Sequence, residues 1–334
     1  MIIVIVIVVI SIFVPHRGPS RRYARQLKDA SQIRGIHQSM VYWALMNGDR
    51  FPTPSQIDKE GWTTRHIVDV TTNPDEAFKL DSTRNIYSML MFNGSTTPPQ
   101  YISPAEVGSP VECINYMVSE PVGAFNPAKA LWDPAFRAHP REQEIIDSAR
   151  MKDDDSHFSY AHAVPFGARK DEMWRDTASA DHAVLANRGP AYDPDGSAEK
   201  GTWDLAADSG PTQSFDTRQG KSSNTLLIHG SKSKWSGIVA YNDNRVSFET
   251  RPDPKELKFT FSGLDAKHRV KPDNLFVDED DVARSPRPEG GTTTVLGPQV
   301  NGRNAYLRSY KDAIGGSAGA DGKPASVQIR PFFD

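Results

Sequence analysis

Residues 5–40 read IVIVVISIFVPHRGPSRRYARQLKDASQIRGIHQSM, an apolar run that passes through Pro15 into an arginine-rich stretch. The run starts at Ile2 and reaches Val14 with Ser11 its only interruption. As a helix rising about 1.5 Å per residue it would extend about 20 Å, short of the roughly 30 Å hydrocarbon core of a bilayer. It does not read as a cleaved secretory signal either, because no basic region precedes it and Pro15-His16-Arg17 follows in place of small residues. The sequence therefore predicts a greasy N-terminal helix, continuous with or kinked at Pro15 into a longer amphipathic one. Such a helix suits burial among copies of itself or shallow anchoring in a membrane. A buried first strand of Ile and Val is the alternative, since period alone does not separate the two.

Beyond Pro15 the pattern is helical. Leu27, Ala30, Ile33, Ile36, Met40 and Trp43 recur at three- and four-residue steps, which stacks them on one face. Arg25, Lys28, Asp29, Gln32 and Arg34 are assigned to the opposite face. Asn47-Gly48 supplies a C-terminal stop. This divides the chain into a helical unit at 1–47, with 1–14 as anchor or filament core, and a globular head at 48–334. The stripe from Leu27 to Trp43 is expected to pack against the head's sheet.

From Asn47 onward the composition is that of a loop-rich head, with most of the 25 Pro and 24 Gly of a chain whose mean hydropathy is -0.54. That excludes a polytopic membrane protein, and no Gly/Ser linker splits the head into two domains. A net charge of -3, with no basic stripe interleaved with aromatics, argues against nucleic acid as a partner. Cys113 is the sole cysteine and reads as a small buried hydrophobe beside Ile114 and Tyr116.

Short helices come first in the head. Asn73 before Pro74-Asp75-Glu76 opens one carrying Phe78 and Leu80, and Ser82 caps another through Ile86, Met89 and Leu90 to Asn93-Gly94. A third follows Pro140 through Ile145 and Ile146. Strands are expected later: Asn224 to Ile228, then Gly237 to Tyr241, a tight Asn242-Asp243-Asn244 turn, Val246 to Glu249, and Lys258 to Phe261. Helices followed by strands imply an α+β head with an antiparallel sheet.

Several segments carry a family resemblance. The 5–40 stretch resembles the filament helix of pilins, and Asn47-Gly48-Asp49-Arg50-Phe51-Pro52 is similar to the polar exit that follows it in pseudopilins. Ser156-His157-Phe158-Ser159-Tyr160 and Asn187-Arg188-Gly189-Pro190 match a Ser-Tyr and an Arg-Gly-Pro stretch of the same group. His229-Gly230, with Ile238 to Val246 around Asp243-Asn244, matches its terminal His-spacer-Asp-Gly motif, with Asn244 in place of Gly and a stretched spacing. The chain thus resembles type IV pilin-like and type II secretion pseudopilin-like proteins, specifically the large-headed bacterial group abundant in planctomycetes. A prepilin leader ending in Gly and the Glu near the mature start have no counterpart here, Pro15 comes earlier than the pilin proline, and residues beyond about 265 lie outside the resemblance.

The resemblance implies a non-enzymatic structural subunit of a filament in the cell envelope or outside the cell, its helix membrane-inserted before assembly. Ile2, Ile3, Ile5, Ile7, Val9, Ile10 and Phe13 would then pack against copies of the same chain. At about 25 cal/mol per Å2, burying on the order of 1,000 Å2 of such a helix contributes tens of kcal/mol before entropic costs. The alternative is a membrane-tethered monomeric module binding glycan or secreted protein cargo through aromatics among Trp132, Trp174, Trp203 and Trp235.

Metal and catalytic signals are sparse. Asp193, Asp195, Ser197 and Glu199 alternate around Gly196 as oxygen ligands of a calcium loop do, which makes Ca2+ the one cofactor to consider. Asp153-Asp154-Asp155 and Asp278-Glu279-Asp280-Asp281 are further acidic runs. The histidine pairs His157/His162 and His182/His229 fit no zinc spacing, and no phosphate loop, dinucleotide fingerprint or nucleophile elbow occurs.

Overall fold

The computed structural model describes residues 17–64, 80–107, 116, 118–121, 123–136, 158–208, 218–286, 289–290, 293–296, 302–315 and 327–333. The apolar run with Ile2, Ile3, Ile5, Ile7, Val9, Ile10 and Phe13 lies outside them, as do Cys113, the helices expected after Asn73 and Pro140, Asp153-Asp154-Asp155 and His157.

Helix α1 spans Arg17–Met46. It stops where expected: Asn47 Nδ2 donates to Trp43 O at 2.8 Å, and Gly48 and Asp49 take positive φ of 65° and 64°. Two shorter helices follow, α2 at Pro54–Ile57 and α3 at Thr83–Phe92. Ser82 precedes α3 as its N-cap residue but makes no capping hydrogen bond.

The strands are β1 (Tyr160–Ala163), β2 (Ala183–Asn187), β3 (Tyr192–Asp195), β4 (Thr202–Leu205), β5 (Gly237–Tyr241), β6 (Val246–Glu249), β7 (Lys258–Thr260), β8 (Val270–Pro272), β9 (Glu289–Gly290), β10 (Thr293–Leu296), β11 (Leu307–Arg308), β12 (Tyr310–Gly315) and β13 (Val327–Pro331). They form a five-stranded sheet ordered β11-β1-β2-β5-β6 and a four-stranded sheet ordered β12-β13-β10-β9, with β3-β4 and β7-β8 as separate hairpins. Every described pairing is antiparallel, so the α+β class with an antiparallel sheet holds.

The expected strand at Asn224 to Ile228 is instead a helical turn, α4 at Leu226–His229. Ser223 and Thr225 share a hydroxyl hydrogen bond of 2.7 Å, and Leu227 N donates to Asn224 O at 2.9 Å, which starts the turn. Side-chain bonding of this local kind competes with a ladder. The turn buries Leu226, Ile228 and His229 while exposing Leu227.

Helix α1 lies across β2, β5 and β6. Ile238 and Ala240 of β5 join Ile33, Ile36, Met40 and Ala44 of α1 in one apolar cluster, while Val239 and Tyr241 join Trp235, Leu275 and Phe276 in another. The period-2 alternation of a strand thus serves two cores, which is why Gly-Ile-Val-Ala-Tyr is apolar throughout.

Two assignments on α1 change. Leu27, expected inward, is 56% exposed, and Asp29, expected outward, is completely buried. The inward stripe is Asp29, Ile33, Ile36, His37, Met40 and Ala44, with Trp43 half-buried. Gln32 sits at its margin, half-buried. Trp132, Trp174 and Trp235 are buried core residues, and Trp203 is half-buried.

Candidate functional site

Asp29 of α1 is the centre of a buried polar latch. Tyr160 of β1 donates its hydroxyl to Asp29 Oδ1 at 2.5 Å, while Asn187 Nδ2 of β2 donates to Oδ2 at 2.9 Å. His229 Nε2, at the end of α4, stands 2.6 Å from the same Oδ2. The geometry places a proton on Nε2, since a carboxylate only accepts. Burial first, and then the Asp29 carboxylate, push the Tyr160 hydroxyl well above its ordinary range, so it remains a donor. A buried carboxylate is tolerated only when its lone pairs are used, and here three elements of the head use them.

Further ties run along the same helix. Arg22, seven residues before Asp29 and therefore on its face, donates Nη2 to His229 O. Gln32 Nε2 donates to Pro99 O at 2.9 Å and Ile102 O at 3.0 Å, and Ser39 Oγ donates to Ser95 O at 3.0 Å. His37 Nδ1 lies 3.2 Å from Asn244 Oδ1, an acceptor presented by the β5-β6 turn in which Asn244 takes a φ of 65°. Burial lowers the His37 imidazole against the pull of that hydrogen bond.

The segment after β2 supports the latch residue by residue. Asn187 accepts from Ile238 N at 2.6 Å with the oxygen of the amide that serves Asp29. Arg188 pairs with Glu106 at 2.9 Å, and its carbonyl accepts from Trp235 Nε1 at 2.9 Å. Gly189 meets the Phe276 ring so closely that a Cβ there would stand 2.4 Å from Cε2. Arg308, itself buried, donates to Gly189 O at 2.8 Å, Pro190 O at 3.2 Å and Phe276 O at 2.6 Å. A Cβ on Gly230 would come within 2.1 Å of Lys234 O. Tyr160, Asn187, His229 and Asn244 thus bond side chains of α1, while Arg188-Gly189-Pro190 is fixed beside Asn187 by Glu106, Trp235, Phe276 and Arg308.

The expected calcium residues are not gathered in this way. Asp193 and Asp195 belong to β3 and oppose Asp204 and Thr202 of β4 rather than lying on a turn. Arg218 Nη2 stands 2.8 Å from Asp193 Oδ1, and Thr202 Oγ1 donates to Asp195 O at 2.7 Å. Ser197 O accepts from Lys200 N at 2.9 Å, and Glu199 O accepts from Lys271 Nζ. Among the described residues no group of three or more His, Cys, Asp or Glu side chains is placed to hold a metal ion.

The acidic run at 278–281 is structural rather than a solvated loop. Asp278 Oδ1 accepts from Arg169 Nη2 at 2.7 Å, Glu279 pairs with Arg284 at 3.2 Å, and Asp280 Oδ1 accepts from Val282 N and Ala283 N at 2.8 and 2.7 Å. Asp281 Oδ2 accepts from Arg303 N at 2.9 Å. Burial pushes the neighbouring Asp273 carboxyl up to about 7 and Glu279 upward as well.

Among the described histidines, His162 and His182 are both buried. His162 bonds Thr83 Oγ1 at 2.9 Å through Nε2 and stands 2.8 Å from Ala163 O through Nδ1, and burial pulls it down to about 4. His182 is buried and pulled down to about 3 by burial and by Arg169. Among the described residues no helix is long and apolar enough to cross a membrane.

Asp29 was legible as a polar residue, yet its register four before Ile33 and seven before Ile36 already put it on the buried stripe. Its partners are 131, 158 and 200 positions away, which no local pattern reaches. No family model, curated protein or solved structure matches the chain.

Proposed function

We propose that the chain is a pilin-like or pseudopilin-like structural subunit, non-enzymatic, that assembles through its N-terminal helix into a filament of the cell envelope or exterior. One observation carries this reading. Helix α1 is latched to the sheet by one face, and its other face leaves Tyr23, Leu27, Tyr42, Leu45 and Met46 between 56% and 76% exposed. A helix whose inner face is already satisfied and which exposes apolar side chains at both ends, with Lys28, Ser31, Arg34 and Gln38 exposed between them, has surface left for another partner, and the run Ile2 to Val14 leads into that same helix. Copies of the chain offer cover for both apolar groups.

The chemistry of the latch supports the same reading. Its Asp–His pair is enclosed, with Asp29 and His229 at most 2% exposed, and its members are spent on holding elements together. Four of the residues that carry the family resemblance, Tyr160, Asn187, His229 and Asn244, bond side chains of α1.

Negative-stain microscopy of the intact protein without detergent tests this. Ordered fibres are expected, and Tyr42→Asp with Leu45→Glu should abolish them without lowering the melting temperature. Dispersed monomers from the unmodified chain would sink the filament reading and leave a tethered monomeric module.

A further inference from the structure

We infer that the groove between α1 and α4 seats the phosphate of an anionic phospholipid. The groove holds about 500 Å3, with Arg21, Arg22 and Arg25 of α1 on one wall and Leu227, Ile228 and Gly230 on the other. Arg22 is fixed there by its bond to the His229 carbonyl, at the edge of the latch. Arg21 and Arg25, one helical turn apart, are exposed and have no carboxylate or hydrogen-bond partner among the described residues. Lys28 continues their side of the helix, and Lys232 and Lys234 are exposed on the Ser231–Lys234 turn that follows Gly230. Two of the three arginines on the groove thus have no carboxylate partner among the described residues, and guanidinium is the group best shaped to grip a phosphate.

The neighbouring sequence says which phosphate. Arg21 follows Val14, the last residue of the apolar run, by seven positions. That is at most about 25 Å of fully extended chain and about 10 Å at helical rise. The headgroup zone of one leaflet is about 5–8 Å deep, so a chain held in a membrane by that run keeps the groove within side-chain reach of lipid phosphates. On the wall opposite the arginines, beside the His229 and Gly230 carbonyls, Leu227 is 44% exposed and offers an apolar contact that suits the glycerol and upper acyl region better than a free ion. Basic residues next to a membrane each strengthen attraction to anionic lipid. The inference rests on the membrane-borne part of the proposed function and not on filament formation.

The full-length protein in a neutral detergent, titrated with phosphatidylglycerol or phosphatidylcholine and read by native mass spectrometry, tests the groove. Phosphatidylglycerol should be retained in preference to phosphatidylcholine, and Arg21→Gln with Arg25→Gln should weaken that retention by roughly thirtyfold at unchanged melting temperature. Arg34→Gln, on a different side of α1, should not. Equal retention of the two lipids, or full retention by the double variant, would overturn the inference. Displacement by millimolar inorganic phosphate would replace the lipid by a free phosphate and overturn it too. A separate flotation assay with phosphatidylcholine vesicles reads the apolar run alone: failure to float counts against the membrane-borne reading, whereas the micelle result still decides the groove.

Discussion

His229 Nε2 and Asp29 Oδ2 stand 2.6 Å apart, although 200 positions separate them in the chain. That contact, with those of Tyr160 and Asn187, makes α1 from Asp29 onward a part of the head rather than a stalk attached to it. An apolar interface alone would let a helix slide or roll on a sheet. A carboxylate with three directional partners allows one register, which is the arrangement an assembling subunit needs if its outer face is to point the same way in every copy.

Removing the centre of the latch should be costly. Asp29→Ala leaves the His229 and Asn187 donors buried without that acceptor and Tyr160 with only Gln32 Oε1 at 3.3 Å, and is expected to destabilise by about 3–5 kcal/mol. Denaturant melts of the two proteins measure this, and a loss below about 1 kcal/mol would show that the donors find other partners.

The distal tie is weaker. Asn244→Gly keeps the positive φ of 65° but deletes the acceptor of His37, so a loss of about 1 kcal/mol is expected. Asn244→Ala loses the same bond and adds left-handed strain of about 1–2 kcal/mol. Equal stability of the two variants would mean that the turn is not held in that conformation.

Glycines should divide by what stands opposite them. Gly189→Ala drives a methyl to 2.4 Å from the Phe276 ring and should cost about 1–3 kcal/mol or more through displaced packing. Gly48→Ala meets nothing within 4 Å and should cost only the backbone strain of its φ of +65°, about 1 kcal/mol. Thermal melts that rank Gly48→Ala as the worse of the two would contradict this packing.

Deleting residues 1–14 should leave a folded, soluble monomer, because the buried stripe from Asp29 to Ala44 and all its partners remain. Sedimentation and near-ultraviolet circular dichroism read the outcome. An insoluble or unfolded product would place the apolar run in the core of the head and end the filament reading. In the same truncated protein Ile36→Asp should cost about 3 kcal/mol or more, and Lys28→Asp almost nothing.

Stability should respond to pH in two opposite ways. His162 falls from 6.5 to about 4 on folding, so the neutral ring is favoured; its contribution is present above 6.5 and is lost as pH falls towards 4. Asp273 rises from 3.8 to about 7, so its contribution is present below 3.8 and is lost as pH rises through 7. Asp273→Asn keeps an acceptor for Ala305 N and removes the charge. Its melting temperature should exceed that of the unmodified protein by a margin that is small near pH 4, grows to about pH 7 and then levels off. A margin independent of pH would show that Asp273 does not titrate in this range.

Periodicity and turn chemistry, which are local, were enough to place α1, its end at Asn47-Gly48, α3 and the β5-β6 hairpin with its Asn244 turn. The same local rules put Leu27 inward and Asp29 outward, because they weigh each side chain by its own polarity. They read Asn224 to Ile228 as a strand, because a short apolar run such as Leu226 to Ile228 has the same signature in either form. Only the tertiary structure decided that Asp29 is buried, since the hydrogen bonds that offset its desolvation come from residues 160, 187 and 229. What the sequence alone determined is the order of the chain, an apolar run, a long amphipathic helix and an antiparallel α+β head. What only folding determined is which face of that helix the head keeps and which it leaves for another surface. Burial is settled by partners distant in the chain, and those partners exist only once the sheet has formed.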